Sequence, residues 1–192
     1  MLVNKLGITE LAALQAREEE ALVAAYEILF GEVTKKTPLT CDLLRHIHAT
    51  IFDNLYGWAG RWRTVWIQKP GVTWPPPDFL DQAMTEYEAQ VLTAYPASSV
   101  ADEKGFVQAL AEIQGEFLVI HPFREGNART IKLACDLLAA QTDRPILRYE
   151  ESDAGQAAYI EAAKAAFKRN YDPLARLIAE ALERGRQAPP TA

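Results

Sequence analysis

His121-Pro122-Phe123-Arg124-Glu125-Gly126-Asn127-Ala128-Arg129-Thr130-Ile131-Lys132 is the stretch on which the fold turns. Proline and glycine break a helical pattern here. It resumes through Ile131, Leu133, Leu137 and Leu138, so the segment reads as helix, loop, helix. A small-residue turn, Gly126-Asn127-Ala128, that enters a helix offers backbone N–H groups without partners of their own. Together with the positive end of the helix dipole they attract anions such as phosphates. Arg129 and Lys132 place positive charge in the first turn, where it opposes the dipole, and a bound anion explains that better than helix stability does. Glu125, beside this anion site, is placed to hold Mg²⁺ bridged to phosphate oxygens. His121, at the end of the preceding helix, reaches the same mouth, and a neutral imidazole suits removal of a hydroxyl proton.

The surrounding chain is helical in pattern. Leu11, Leu14, Leu22, Ala25 and Leu29 predict an amphipathic helix from Thr9, its cap, to about Leu29, and Leu43, Leu44, Ile47 and Ile51 predict another over Cys41 to Phe52. The aromatic and β-branched run that follows predicts a hairpin: strands at about Thr64 to Gln68 and Val72 to Trp74, joined by Lys69-Pro70-Gly71 and stopped by Pro75-Pro76-Pro77. Asp78 is a candidate cap for a helix to about Tyr95, followed by a turn at Pro96-Ala97-Ser98-Ser99. Helices are also expected over about Ala101 to Ile120, Ser152 to Arg169 and Pro173 to Arg184.

Composition bounds the function. The 192 residues make about one domain, placed at 1–185 with a disordered tail at 186–192. A net charge of -6 argues against a broad grip on nucleic acid, which needs a basic stripe. Cys41 and Cys135 lie far apart without CxxC spacing, so reduced thiols in a cytoplasmic protein are expected rather than a disulfide or zinc site. No signal peptide or membrane-length apolar run is visible.

The segment HPFREGNARTIK resembles the signature of the Fic (Fic/Doc) family, HxFx(D/E)GNGRxxR, through His121, Phe123, Glu125, Gly126, Asn127 and Arg129. NKLGITELAALQAREEE and IFDNLYGWAGRWRTVWI are also similar to family sequence upstream of that signature. The resemblance implies an all-α, Fic-type helical bundle with a short β-hairpin flap at about 64–74 and an active-site loop at 121–129. It implies a Mg²⁺-dependent protein adenylyltransferase in which His121 deprotonates a Ser, Thr or Tyr hydroxyl of a target protein that attacks the α-phosphate of ATP. Glu125 then holds the metal, Gly126, Asn127, Ala128, Arg129 and Lys132 hold the nucleotide, Phe123 anchors the loop, and Lys69 and Gly71 at the flap tip align the target by strand addition. Two positions depart from the pattern. Ala128 replaces a glycine, a strain of about 1 kcal/mol if its φ is positive and mild if helical, and Lys132 replaces an arginine and loses the bidentate fork. A Doc-like phosphotransferase and a non-catalytic peptide-binding module stay open as alternatives. No inhibitory (S/T)xxxE(G/N) pattern is found, the nearest being Ser99 to Glu103, so a separate antitoxin-like partner is one expectation and no such inhibition the other. Outside the motif, His46 and His48 are expected to be structural, the four tryptophans to pack under the flap, Glu18-Glu19-Glu20 to be a solvated helix face, and Arg124 stays unassigned.

Overall fold

A computed structural model describes residues 2–69, 71–96 and 102–188. The described residues form seven α-helices and one two-stranded hairpin: α1 (Leu11–Glu32), α2 (Cys41–Phe52), β1 (Gln68–Lys69), β2 (Val72–Thr73), α3 (Leu80–Tyr87), α4 (Glu103–Ile120), α5 (Asn127–Gln141), α6 (Asp153–Ala166) and α7 (Asp172–Gln187). The fold is all-α, as expected. None of the described helices is long and apolar enough to cross a membrane.

The core is built around α4, which is buried on nearly every side through Phe106, Leu110, Ile113, Phe117 and Ile120 and packs against α3, α5, α6 and α7. A helix apolar all round belongs at the centre of a bundle. The helix starts follow local chemistry: Thr40, Asp102 and Ser152 each accept the amide of the residue three positions on, Leu43, Gly105 and Gly155, and so relieve an orphan donor of α2, α4 and α6. Thr9 is not such a cap. α1 starts after Glu10, whose side chain makes no capping bond. Asp78 lies inside a 3₁₀ turn, Pro77–Phe79, ahead of α3, and a π-turn, Glu88–Leu92, extends that helix.

Along α1 the buried seam is Leu14, Glu18, Ala25 and Leu29, while Leu11 is 59% exposed. The expectation of a solvated Glu18-Glu19-Glu20 face is therefore wrong for Glu18, which is only 9% exposed and fills a core position. Its reason is a charge partner on α5, described below. The hairpin is shorter than the sequence predicts, with Gln68 opposite Thr73 and Lys69 opposite Val72. At its open end Pro76, which the register sets opposite Val65, has no N–H to donate, and the Val65 carbonyl is taken by Arg63 instead, so the ladder gains no bond there. Pro70 at its tip, the turn at 97–99 and most of the Ser99 to Glu103 segment lie outside the described residues. α7 runs through Arg186, which pairs with Glu103 of α4, so residues 186 and 187 are helical rather than disordered tail.

Candidate active site

α4 ends on His121, whose backbone is left-handed (φ 52, ψ 61) while its amide still donates to the Phe117 carbonyl at 2.8 Å. That conformation costs a residue with a Cβ about 1–2 kcal/mol and is normally given to glycine. Arg63 holds it in place: its Nε donates to the His121 carbonyl (2.9 Å) and its own amide to the Pro122 carbonyl (2.8 Å). The imidazole Nδ1 lies 3.2 Å from the Leu118 carbonyl. A carbonyl only accepts, so Nδ1 carries the proton and Nε2 keeps its lone pair. The Trp74 ring covers the imidazole at 4.2 Å, and its Nε1 donates to the same Leu118 carbonyl at 2.9 Å. Burial lowers the His121 pKa to about 4; Lys69 and Arg63 push the same way, and the bond to Leu118 opposes them. At pH 7 the ring is neutral, the form able to take a proton.

Beyond His121 the loop is closed from inside. Asn127 is buried, its Oδ1 accepting the Phe123 amide and its Nδ2 donating to the Phe123 carbonyl, both at 2.8 Å. Its side chain is thus engaged with the loop, and what it offers a ligand from α5 is its main-chain amide. Phe123 is fully buried, stacked at 3.8 Å on His48 and at 4.8 Å from Trp62. His48 accepts the Gly60 amide on Nδ1 (2.9 Å), which leaves Nε2–H to donate to the Glu125 carbonyl at 3.1 Å. Gly126 precedes α5 with φ 77, and a Cβ there would lie 2.3 Å from the Phe52 ring, so only glycine fits.

The first turn of α5 has no side-chain cap, and its leading amides point out of the helix. Ala128 sits in that turn and is not among the positive-φ residues, so the strain considered for a methyl group there does not arise. Arg129 donates to Glu18 of α1 at 2.8 Å, lies 3.6 Å from Glu125 and stacks on Phe52 at 4.7 Å. The second oxygen of Glu18 accepts the Tyr56 hydroxyl. Lys132, one turn on, has its ammonium between the rings of Tyr149 (4.2 Å) and Tyr159 (4.0 Å), whose hydroxyls are both fixed by Gln114. Burial lowers its pKa to about 8 against the pull of Asp136 and Glu151.

Two cavities meet at Ala128. One, of about 490 Å³, is lined by Arg129, Lys132, Gln156 and Arg184 and is basic. The other, of about 340 Å³, lies under the hairpin between His121, Val72, Leu118, Ile160 and Phe167, and is apolar with Lys69 at its rim. His121, Ala128 and Lys69 thus share one cavity, and Ala128, Arg129 and Lys132 the other. Gly71 is in the left-handed region at the hairpin turn (φ 78). Glu125 is half exposed, with Oε1 accepting the Gly126 amide at 2.9 Å. Among the described residues no three His, Cys, Asp or Glu side chains converge on a point, so a caged structural metal has no site here. A Mg²⁺ that arrives on phosphate and keeps most of its water needs only one carboxylate, and Glu125 fits that demand.

Sequence reasoning missed the part that Arg63 plays and misplaced Glu18, while His48 and Trp74 stand as it read them. Glu18 sits in register with Leu14 and Leu22 on the apolar seam of α1, and that register was its signal. His48, expected to be structural, lies on the same face of α2 as Leu44 and Ile51 and is buried there against Phe123. Arg63 and Trp74 flank the hairpin; nothing local marks Arg63, whereas Trp74 packs beneath the hairpin as expected. Trp74 is buried, but Trp66 is 67% exposed, so the tryptophans do not all pack under the flap.

The chain matches the family described as Fic/DOC over residues 38–139 and belongs to it. Among curated proteins it is 30% identical over 136 residues to the protein adenylyltransferase VbhT of Bartonella schoenbuchensis, covering 69% of this chain and 27% of that protein. It is 31% identical over 142 residues to the probable protein adenylyltransferase Fic of Salmonella typhimurium, covering 71% and 66%. A uridine 5'-monophosphate transferase of Xanthomonas campestris is 25% identical over 138 residues, covering 67% and 26%. The chain therefore spans only part of these relatives. The fold matches the N-terminal FIC domain of Bep8 from Bartonella sp. 1-1C with a TM-score of 0.82 at 18% identity, covering 100% of this chain and 94% of that one. It also matches an ADP-bound Fic domain from Bartonella quintana with a TM-score of 0.78 at 20% identity, covering 94% and 90%.

Proposed function

We propose that this chain is a protein nucleotidyltransferase that moves AMP from ATP to a Ser, Thr or Tyr hydroxyl of a target protein. The observation that carries the reading is a neutral imidazole, proton on Nδ1 and lone pair on Nε2, lining the same cavity as the start of α5. In this reading the outward amides of Asn127, Ala128 and Arg129 hold the phosphates, with Arg129 and Lys132 supplying charge in the basic cavity. The nucleoside lies in the apolar cavity under the hairpin. His121 Nε2 takes the proton of the target hydroxyl, whose oxygen attacks the α-phosphorus as pyrophosphate leaves. Glu125 would hold Mg²⁺, and the metal would supply charge neutralisation on the phosphates. Lys69 and Gly71 present the hairpin edge to an extended target segment, and Phe123 and the Asn127 side chain keep the loop in shape.

Cytoplasmic action and control by a small antitoxin-like partner belong to the same proposal. Such a partner would cover the basic cavity and weaken nucleotide binding. The test is intact-mass analysis of the protein and of lysate targets after incubation with Mg²⁺ and ATP. An AMP-sized gain in the wild type, absent in His121→Ala, is expected. A phosphate-sized gain would replace the reading with Doc-like phosphotransfer, and no gain together with no nucleotide binding would replace it with a peptide-binding module.

A further inference from the structure

Arg63 is only 4% exposed, and each of the three nitrogens of its guanidinium donates to a different stretch of main chain. Nε donates to the carbonyl of His121 (2.9 Å), Nη1 to that of Val65 (3.0 Å) and Nη2 to that of Pro75 (2.7 Å). Val65 leads into the hairpin and Pro75 leads out of it. The amide of Arg63 adds a bond to the Pro122 carbonyl at 2.8 Å. Both roots of the hairpin and the left-handed residue that ends α4 are thus pinned to one planar group.

We propose that Arg63 is a positioning residue that couples the flap to His121, so that the placement of the hairpin sets the orientation of the imidazole. The inference rests on the reading of His121 as the base and adds a link between base and flap. A guanidinium is a rigid fork with fixed donor directions, so displacing the Val65 or Pro75 carbonyl turns the whole plane and with it the Nε–H aimed at His121. A strained left-handed residue keeps its conformation only while its surroundings over-determine it, and the bonds from Arg63 Nε and from the Arg63 amide do that for His121 and Pro122. Trp74, on the hairpin's outgoing arm, shares the Leu118 carbonyl with Nδ1 of His121 and gives the same movement a second point of contact. A target segment seated on the hairpin edge steadies the base, and a displaced hairpin loosens it.

The chain has only three histidines, so ¹⁵N-histidine NMR reads His121 directly. Wild type, Arg63→Lys and Arg63→Gln are compared, with circular dichroism melts confirming that each is folded. Arg63→Lys keeps the charge and loses the fork. In both variants the His121 titration is expected to rise from about 4 by at least one unit toward the ordinary 6.5, with the Nδ1–H tautomer no longer dominant. Gly71→Val, which forces a β-branched residue into the left-handed hairpin turn (φ 78) and so strains the hairpin without lining the His121 cavity, is expected to shift the His121 resonances in the wild-type background and to shift them less than half as far beside Arg63→Lys. A folded Arg63→Lys protein with His121 unmoved overturns the proposal. So does an effect of Gly71→Val that passes undiminished without Arg63. Should the Arg63 variants not fold, an unmoved His121 in Gly71→Val alone overturns it and a shifted one supports it. None of these signals needs turnover, so the absence of AMP transfer is read separately by the mass assay.

Discussion

Arg129 and Lys132 stand one turn apart on α5 and face the same cavity, yet they are held by opposite chemistry. Arg129 is gripped by charge: Glu18 at 2.8 Å, Glu125 at 3.6 Å and the Phe52 face beneath. Lys132 is gripped by aromatic faces, its ammonium lying between two tyrosine rings, and burial lowers its pKa to about 8. The first cation is permanent and its direction is set by α1. The second is titratable and enclosed by α6 and the segment before it. A family position usually filled by arginine has become, in this chain, a charge that pH can remove.

That contrast can be broken most forcefully at Glu18. Glu18→Ala leaves the Arg129 guanidinium and the Tyr56 hydroxyl without their partner, at a cost of about 2–3 kcal/mol for a pair that still has some solvent access. For a domain of this size that is a fall of roughly 4–12 °C in melting temperature, read by thermal denaturation. An unchanged melt would mean that the pair is only a surface contact. Next in size is Arg129→Lys, expected to weaken Mg–ATP binding about tenfold in calorimetry, because an ammonium cannot serve Glu18 and a phosphate in one plane. Lys132→Met, which keeps length and removes charge, should cost no more than about threefold at pH 7, since the caged amine contributes as a point charge. A larger loss at Lys132 than at Arg129 would reverse the ranking.

Raising the pH sharpens the same contrast. As pH passes through about 8 the Lys132 ammonium loses its proton in the folded protein, so nucleotide affinity should fall between pH 7 and 9 and stay level in Lys132→Arg. The stability effect has the opposite sign. The folded-state pKa lies below the unfolded value of about 10.4, so between about 8 and 10 the unfolded chain binds more protons, and this group's contribution to stability rises with pH. On stability, Tyr159→Phe is expected to do less than Glu18→Ala, because it removes only the bond to Gln114 Oε1 while keeping the ring over Lys132. About 1 kcal/mol of stability should be lost, with the pH dependence of binding intact.

The comparison also marks what the sequence made legible. The order histidine, carboxylate, small-residue turn and cations within twelve residues was readable because each chemical type is constrained by the backbone it sits on: a proline and a glycine interrupt the helical pattern between α4 and α5, and a helix start must expose amides. Helix positions were readable from apolar period, with α2 matched end to end. The hairpin strands were predicted too long, because β-propensity at Thr64 to Ile67 says nothing of Arg63 claiming the Val65 carbonyl. Glu18 was read as solvated because three consecutive glutamates look alike until the partner of one of them is known.

By itself, then, the sequence determined the helical bundle, the interruption between α4 and α5 and the kinds of group gathered there, since these follow from local backbone preference and periodic burial. Only the tertiary structure decided that Glu18 is the partner of Arg129, that Lys132 lies between two tyrosines, that Ala128 is helical and that Arg63 holds His121. Those contacts join residues far apart in the chain, and burial, charge pairing and ring packing between helices act on distance in space, which a linear pattern does not contain.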